Sequence, residues 1–109
     1  MKTISLEVPN AVYELIKDER DIMLLKSLRN ITKERIHEIE KELQKIENKV
    51  LQFEEKYGME FSEFEKKIES GEFLEPEHHE DYNEWFFWIE TKNRKNNILK
   101  RYKDYVWTL

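Results

Sequence analysis

A chain of 109 residues with two glycines and no cysteine is one domain, or a small domain with an arm, and it excludes a disulfide framework and thiolate metal sites. Charged and hydrophobic side chains each make up 39% of it, which is material for a modest core only. The net charge of −5 is uneven: −1 over residues 1–57, −8 over 58–84 and +4 over 85–109, an acidic middle followed by a basic tail.

No apolar run approaches a membrane span, and MKTISLEV is too short and polar for a signal peptide. The expectation is a cytoplasmic protein that engages no membrane.

Lys2 to Val8 alternates, with Ile4, Leu6 and Val8 on one side and Thr3, Ser5 and Glu7 on the other, before Pro9. Period two and β-branched residues predict a short strand, which needs a mate from another subunit. Asn10 is a candidate N-cap for a helix over 11–29, bent near Glu19. Thr32 then reads as the N-cap of a long helix that Gly58 closes.

That helix carries the clearest pattern in the chain. Ile36, Ile39, Leu43, Ile46, Val50, Phe53 and Tyr57 follow a 3-4-3-4-3-4 spacing, the seam of a helix that packs along another helix. Burying it is worth roughly 10–20 kcal/mol before entropy. The reading assigns Ile36, Ile39, Leu43, Ile46, Val50 and Phe53 to dimerisation. The flanks leave the pairing open: Arg35 and Lys49 suit Glu40 and Glu54 in a parallel homodimer, Glu42 and Glu47 do not, and antiparallel packing on the chain's own basic last helix answers the same glutamates.

Ser62-Glu63-Phe64-Glu65 reads as a capping box opening a short helix, with Phe61, Phe64 and Ile68 as its face and Gly71 as its end. Residues 72–80, containing Pro76, are expected to loop. The last helix is expected from about Asp81 to Val106, with its apolar stripe failing at Lys92–Asn97, a stretch solvated or locally broken. The fold expected is therefore mainly α: a long heptad helix with flanking helices and a short N-terminal strand, a helical bundle or coiled coil that is dimeric. Its segments are 1–31, 32–58 and 59–109 within a single domain.

His78-His79-Glu80-Asp81 lacks a second ligand pair at helical spacing, so no metal or cofactor is expected. There is no Gly-rich phosphate loop, nucleophile elbow or HExxH, and no enzyme is expected. A strand before a helix admits a ribbon-helix-helix DNA-binding regulator, but only Lys2 is basic on that strand and Glu7 repels phosphate. Nucleic-acid binding is expected to be weak.

The sharpest functional feature is aromatic. Eight of fourteen aromatic residues lie between Phe61 and Trp88, and Tyr82-Asn83-Glu84-Trp85-Phe86-Phe87-Trp88 puts large side chains all round a helix, which implies burial on two sides. Acidic residues precede them. The partner-binding set read from this is Tyr82, Trp85, Phe86 and Trp88, with Trp85 as anchor, and Glu75, Glu77, Glu80, Asp81 and Glu84 as steering charges. Such a segment suits a basic RNA-binding cleft, carboxylates replacing phosphates and rings replacing bases.

The run from Phe53 to Phe64, FEEKYGMEFSEF, resembles the small prokaryotic antitoxins of TumA/TumE-type and related archaeal modules. These end a charged helix in a KYGM turn, here Lys56-Tyr57-Gly58-Met59, and continue with a Ser-capped helix, here Ser62-Glu63-Phe64. An acidic Gly-containing loop follows, then an aspartate, a glutamate and a tryptophan, here Asp81, Glu84 and Trp85. The similarity covers roughly residues 36–90, and the YNEWFFW block departs from it. The resemblance implies a protein that neutralises a co-encoded toxin, a small ribonuclease-like or nucleotide-transferring protein. The alternatives are the ribbon-helix-helix regulator and a plain coiled-coil assembly protein.

Overall fold

The computed structural model describes residues 3, 5 and 7–106. Four helices follow in chain order: α1 (Asn10–Ile16), α2 (Arg20–Tyr57), α3 (Phe61–Glu69) and α4 (Pro76–Tyr105). No strand occurs among the described residues. The expected strand includes Lys2, Ile4 and Leu6, which lie outside them.

Helix α1 starts one residue earlier than expected. Pro9 takes the N-cap position and its carbonyl accepts from Val12 and Tyr13 N–H, both at 3.0 Å, so Asn10 is a helical residue rather than a cap. The expected bend near Glu19 is a true interruption: Lys17–Glu19 form a turn, and Glu19 N–H bonds back to the Ile16 carbonyl at 2.9 Å.

Helix α2 then runs for 38 residues without a break, about 57 Å at the usual rise. Thr32 is not its cap. The Thr32 hydroxyl donates to the Leu28 carbonyl at 2.7 Å, the bond by which a threonine satisfies itself inside a helix. No structural boundary separates residues 31 and 32. Gly58 ends α2 as expected, at φ 65°, with its N–H on the Glu54 carbonyl at 2.7 Å. That left-handed conformation penalises any residue with a Cβ.

Helix α3 opens at Phe61, with Glu60 in the cap position and no side-chain cap bond. The Glu60 carbonyl accepts from Glu63 and Phe64 N–H at 3.1 Å. The expected capping box is absent because Ser62 already lies inside the helix; Glu65 instead accepts from the Tyr82 hydroxyl at 2.7 Å.

Helix α4 begins at Pro76, five residues before the expected start. Proline suits the first helical turn, where its missing N–H has no bond to make. Residues 76–80 are thus helical, and the helix continues unbroken through Lys92–Asn97.

Helices α2 and α4 form an antiparallel hairpin, with α3 folded against α4 at the turn. The α2 residues that bury are Ile39, Leu43, Ile46 and Val50, with Ile36 and Phe53 half-buried. The seam that was assigned to dimerisation is filled within one chain, by α4. Charge fixes the direction. Lys56 near the end of α2 meets Glu77 and Asp81 near the start of α4, both at 2.7 Å. Glu47 meets Lys92 at 3.9 Å, Glu42 meets Lys95 at 2.7 Å and Glu40 meets Lys103 at 3.4 Å. Such pairs add little stability singly, but the parallel alternative would set the same glutamates against α4's acidic start. Lys92 and Lys95 are half-buried. Their alkyl stems cover the seam while the ammonium groups reach the glutamates, so the stretch without apolar residues still packs.

The hairpin is shorter than α2. Helix α4 ends at Tyr105, and Val106 at its C-cap is buried beside Thr32 in a groove that Ile98, Arg101, Tyr102 and Tyr105 also line. Residues 20–31 of α2 and all of α1 extend past it, giving a molecule 70 × 24 × 23 Å in extent.

Placing an aspartate at Ile46 buries an unpaired charge between α2 and α4. Ile46→Asp should destabilise the monomer by about 3 kcal/mol or more, read as a lowered urea midpoint. A variant of unchanged midpoint but halved mass would show that the seam joins copies instead.

Candidate functional site

The partner-binding residues read from the sequence fall into two groups with different fates. Trp85 is 0% exposed. Its ring stacks on Phe53 at 5.5 Å and 14° and on Tyr57 at 6.1 Å and 16°. Phe61 meets it edge-on at 5.3 Å, and Phe64 at 5.3 Å and 30°. The expected anchor is thus the core itself, and a partner cannot touch it without opening the hairpin. Its indole Nε1 has no acceptor among the described residues.

Asp81 also points inward. It accepts from Lys56 at 2.7 Å and forms a short hydrogen bond with the Tyr57 hydroxyl. Partial burial works to raise its pKa, but the hydrogen bonds from Lys56 and Tyr57 outweigh it and hold the carboxyl below the usual range. Burial first, and the bond to Asp81 second, push the Tyr57 phenol well above its ordinary value. Lys56 is raised in turn by its hydrogen bonds to Asp81 and Glu77. Asp81 and Glu77 therefore tie the two helices together and are not free steering charges. Tyr82 bridges α4 to α3 through Glu65 and stacks on Phe61 at 5.5 Å.

The remainder faces solvent. Phe86 is 44% and Phe87 51% exposed. Phe86 lies over Tyr82 at 6.3 Å, and Phe87 meets Trp88 edge-on at 5.0 Å. Trp88 is half-buried and its Nε1 donates to Glu84 at 3.4 Å. Glu80, Asn83, Glu84 and Glu90 are all exposed and lie within two turns of the phenylalanines on the same helix. Glu75 is exposed at the α4 N-cap, its carbonyl accepting from His78 N–H at 3.0 Å. The site that survives is an aromatic pair on the outer face of α4 with carboxylates around it.

The sequence reading left Phe87 out of the partner-binding set, and it placed Tyr57 in the α2 seam and Lys56 in the KYGM turn without linking either to Asp81. Seven apolar residues in the α2 seam predicted a buried face, and Trp85 falls opposite it. The signal was present in the spacing: within the expected helix the 3.6-residue period already puts Asp81, Trp85 and Lys92 on one face and Asn83, Phe87 and Glu90 on the other.

His78 packs edge-on against Phe73 at 4.8 Å and Tyr57 at 6.1 Å. Among the described residues no group of three or more His, Cys, Asp or Glu side chains is placed to hold a metal ion, and no helix is long and apolar enough to cross a membrane. Comparisons with protein-family models, curated proteins and solved structures find no match.

Trp85→Ala should lower stability by about 3–5 kcal/mol, whereas Phe87→Ala should change it by less than about 1 kcal/mol. Chemical denaturation followed by circular dichroism separates the two. The depressed Asp81 carboxyl contributes stability that is present above its unfolded pKa of about 3.9 and is lost as pH falls through the lower folded value. The stability difference between wild type and Asp81→Asn should therefore be largest near neutrality and shrink below about pH 4. A constant difference across that range would show that the carboxylate charge is not what joins α2 to α4.

Proposed function

We propose that the chain is a non-enzymatic, antitoxin-like binding protein of the cytoplasm that holds a basic, co-encoded toxin against the outer face of α4. The carrying observation is the pair Phe86 and Phe87, about half exposed on a helix whose other face is locked into the core. Large rings kept in water on a rigid support favour a partner that covers them. The exposed carboxylates of Glu80, Glu84 and Glu90 suit a partner with a positive surface, and an RNA-acting protein has one. The KYGM turn supports the same reading, since Lys56, Tyr57 and Gly58 end α2 and brace Asp81 behind this face.

The test is a titration with the protein encoded by the adjacent open reading frame. The double variant Phe86→Ala, Phe87→Ala should weaken binding by about 10- to 100-fold while keeping its helix content. Changing Glu80, Glu84 and Glu90 to glutamine should mainly slow association, and more at low salt. Wild-type-like binding by the double variant would move the contact elsewhere. A chain that leaves growth arrest by the neighbouring protein unrelieved would remove the antitoxin reading.

A further inference from the structure

The outer side of α4, turned away from α2, carries a second regular stripe. Glu80, Asn83, Phe87, Glu90, Arg94, Asn97 and Arg101 follow the same 3-4-3-4-3-4 spacing as the α2 seam, so they share one helix face about 32 Å long. All seven are exposed. The middle residue, Glu90, stands about 24 Å along the helix from Val106, the last described residue.

On the side that meets α2 the cations of α4 are paired: Lys92, Lys95 and Lys103 reach Glu47, Glu42 and Glu40. On the outer stripe they are not. Among the described residues Glu80, Glu90 and Arg101 enter no ion pair, and Arg94 donates to the neutral Thr91 hydroxyl at 3.3 Å. Glu90 precedes Arg94 by four residues, the favourable order for a pair along one helix, and the two still do not close. Phe87 is 51% exposed, with Trp88 edge-on at 5.0 Å.

The order of these side chains selects the occupant. Two glutamates precede two arginines, so a surface of one sign matches only half the stripe. Turned end for end, the stripe matches itself. Glu80 falls opposite Arg101, Asn83 opposite Asn97 and Phe87 opposite Arg94, each pair set evenly about Glu90 and Thr91. The matches are carboxylate on guanidinium, amide on amide, and guanidinium over a phenyl face. The two Glu90 side chains come nearest the axis, each between its own Arg94 and that of the other copy.

We infer that the outer stripe of α4 is a self-association surface, on which a second copy of this chain packs antiparallel about a two-fold axis between Glu90 and Thr91. The interface is isologous, with Arg94 of each copy on Phe87 of the other at the centre and Glu80 with Arg101 at the rims. Resting on the reading above, which gives this same face to a toxin, the pairing also regulates it: a paired chain has Phe87 covered, and the toxin must displace the second copy.

Light scattering on the chain alone tests the pairing without a toxin. The wild type should scatter at twice the 13.5 kDa chain mass. Arg94→Glu should give a monomer, since it removes the cation from Phe87 and crowds carboxylates at the axis. Glu80→Arg or Arg101→Glu alone should weaken the dimer about 10-fold or more, and the two together should restore it by exchanging the charges. All three positions are exposed, and unchanged helix content by circular dichroism is the control. There is no native cysteine, so Glu90→Cys should form a disulfide-linked dimer on oxidation. Asn83→Cys should not, because its two thiols lie about 22 Å apart. The locked Glu90→Cys dimer should fail to bind the protein of the adjacent reading frame, which the reduced form binds. A wild-type monomer at high concentration, a dimer indifferent to Arg94→Glu, a charge exchange that restores nothing, or equal cross-linking at residues 83 and 90 would overturn the inference and leave the toxin reading standing. A locked dimer that binds as well as the reduced form would overturn the regulation. Binding by neither form would strike the toxin reading and leave the pairing intact.

Discussion

Burial of one indole organises the molecule. Trp85 stands where α2, α3 and α4 meet, with Phe53 and Tyr57 from α2 and Phe61 and Phe64 from α3 around it. Each ring comes from a different turn of helix, so the indole can be enclosed only if α2 stops at Gly58, α3 folds across and α4 runs back. A small chain with this much charge has few ways to close a core. Aromatic side chains do it with large area and few rotatable bonds. Everything farther along the hairpin, the aliphatic seam and the lysine–glutamate pairs, follows in register from that closed end.

The seam was legible in the sequence because period 3-4 is a geometric property of helices and survives any choice of partner. The flanking glutamates Glu40, Glu42 and Glu47 left the pairing open, and the basic last helix is what meets them. What periodicity cannot carry is the identity of the opposing surface. One chain and two copies bury the same stripe, and here α4 fills it. Thr32 and Ser62 misled for a shared reason. Their hydroxyls suit caps, but a cap exists only where the chain turns, and neither position is a turn: Thr32 bonds back to Leu28 and Ser62 is already helical.

The candidate site was legible by composition and misassigned by face. The excess of aromatic residues in one stretch implied burial on two sides, and the single chain buries one of them, with Trp85 enclosed and Phe86 and Phe87 about half exposed. Trp85, the largest ring, went to the core because it lies in line with Asp81 and Lys92 on the side that meets α2, leaving Phe86 and Phe87 outside. Reading Pro76 as a loop residue set the start of α4 five residues late, but the phase within 81–105 does not depend on that start; Trp85 was assigned by the size of its ring and not by its place on the face that meets the seam. The acidic run likewise divided: Asp81 and Glu77 bind Lys56, while Glu80 and Glu84 stay in water.

Helix α2 is continuous, but its two halves hold their shape by different means. From Ile36 to Tyr57 each turn is fastened by buried side chains. From Arg20 to Ile31 the single chain supplies the helix's own backbone hydrogen bonds and little burial. A stretch of about twelve residues is marginal as an isolated helix, since starting the first turn is unfavourable and extending an existing one is not. The overhang is therefore propagated from the body rather than nucleated in place. Its amide protons would exchange with solvent in a gradient rising away from Thr32, and the turn at Lys17–Glu19 marks where that propagation stops and α1 must begin anew.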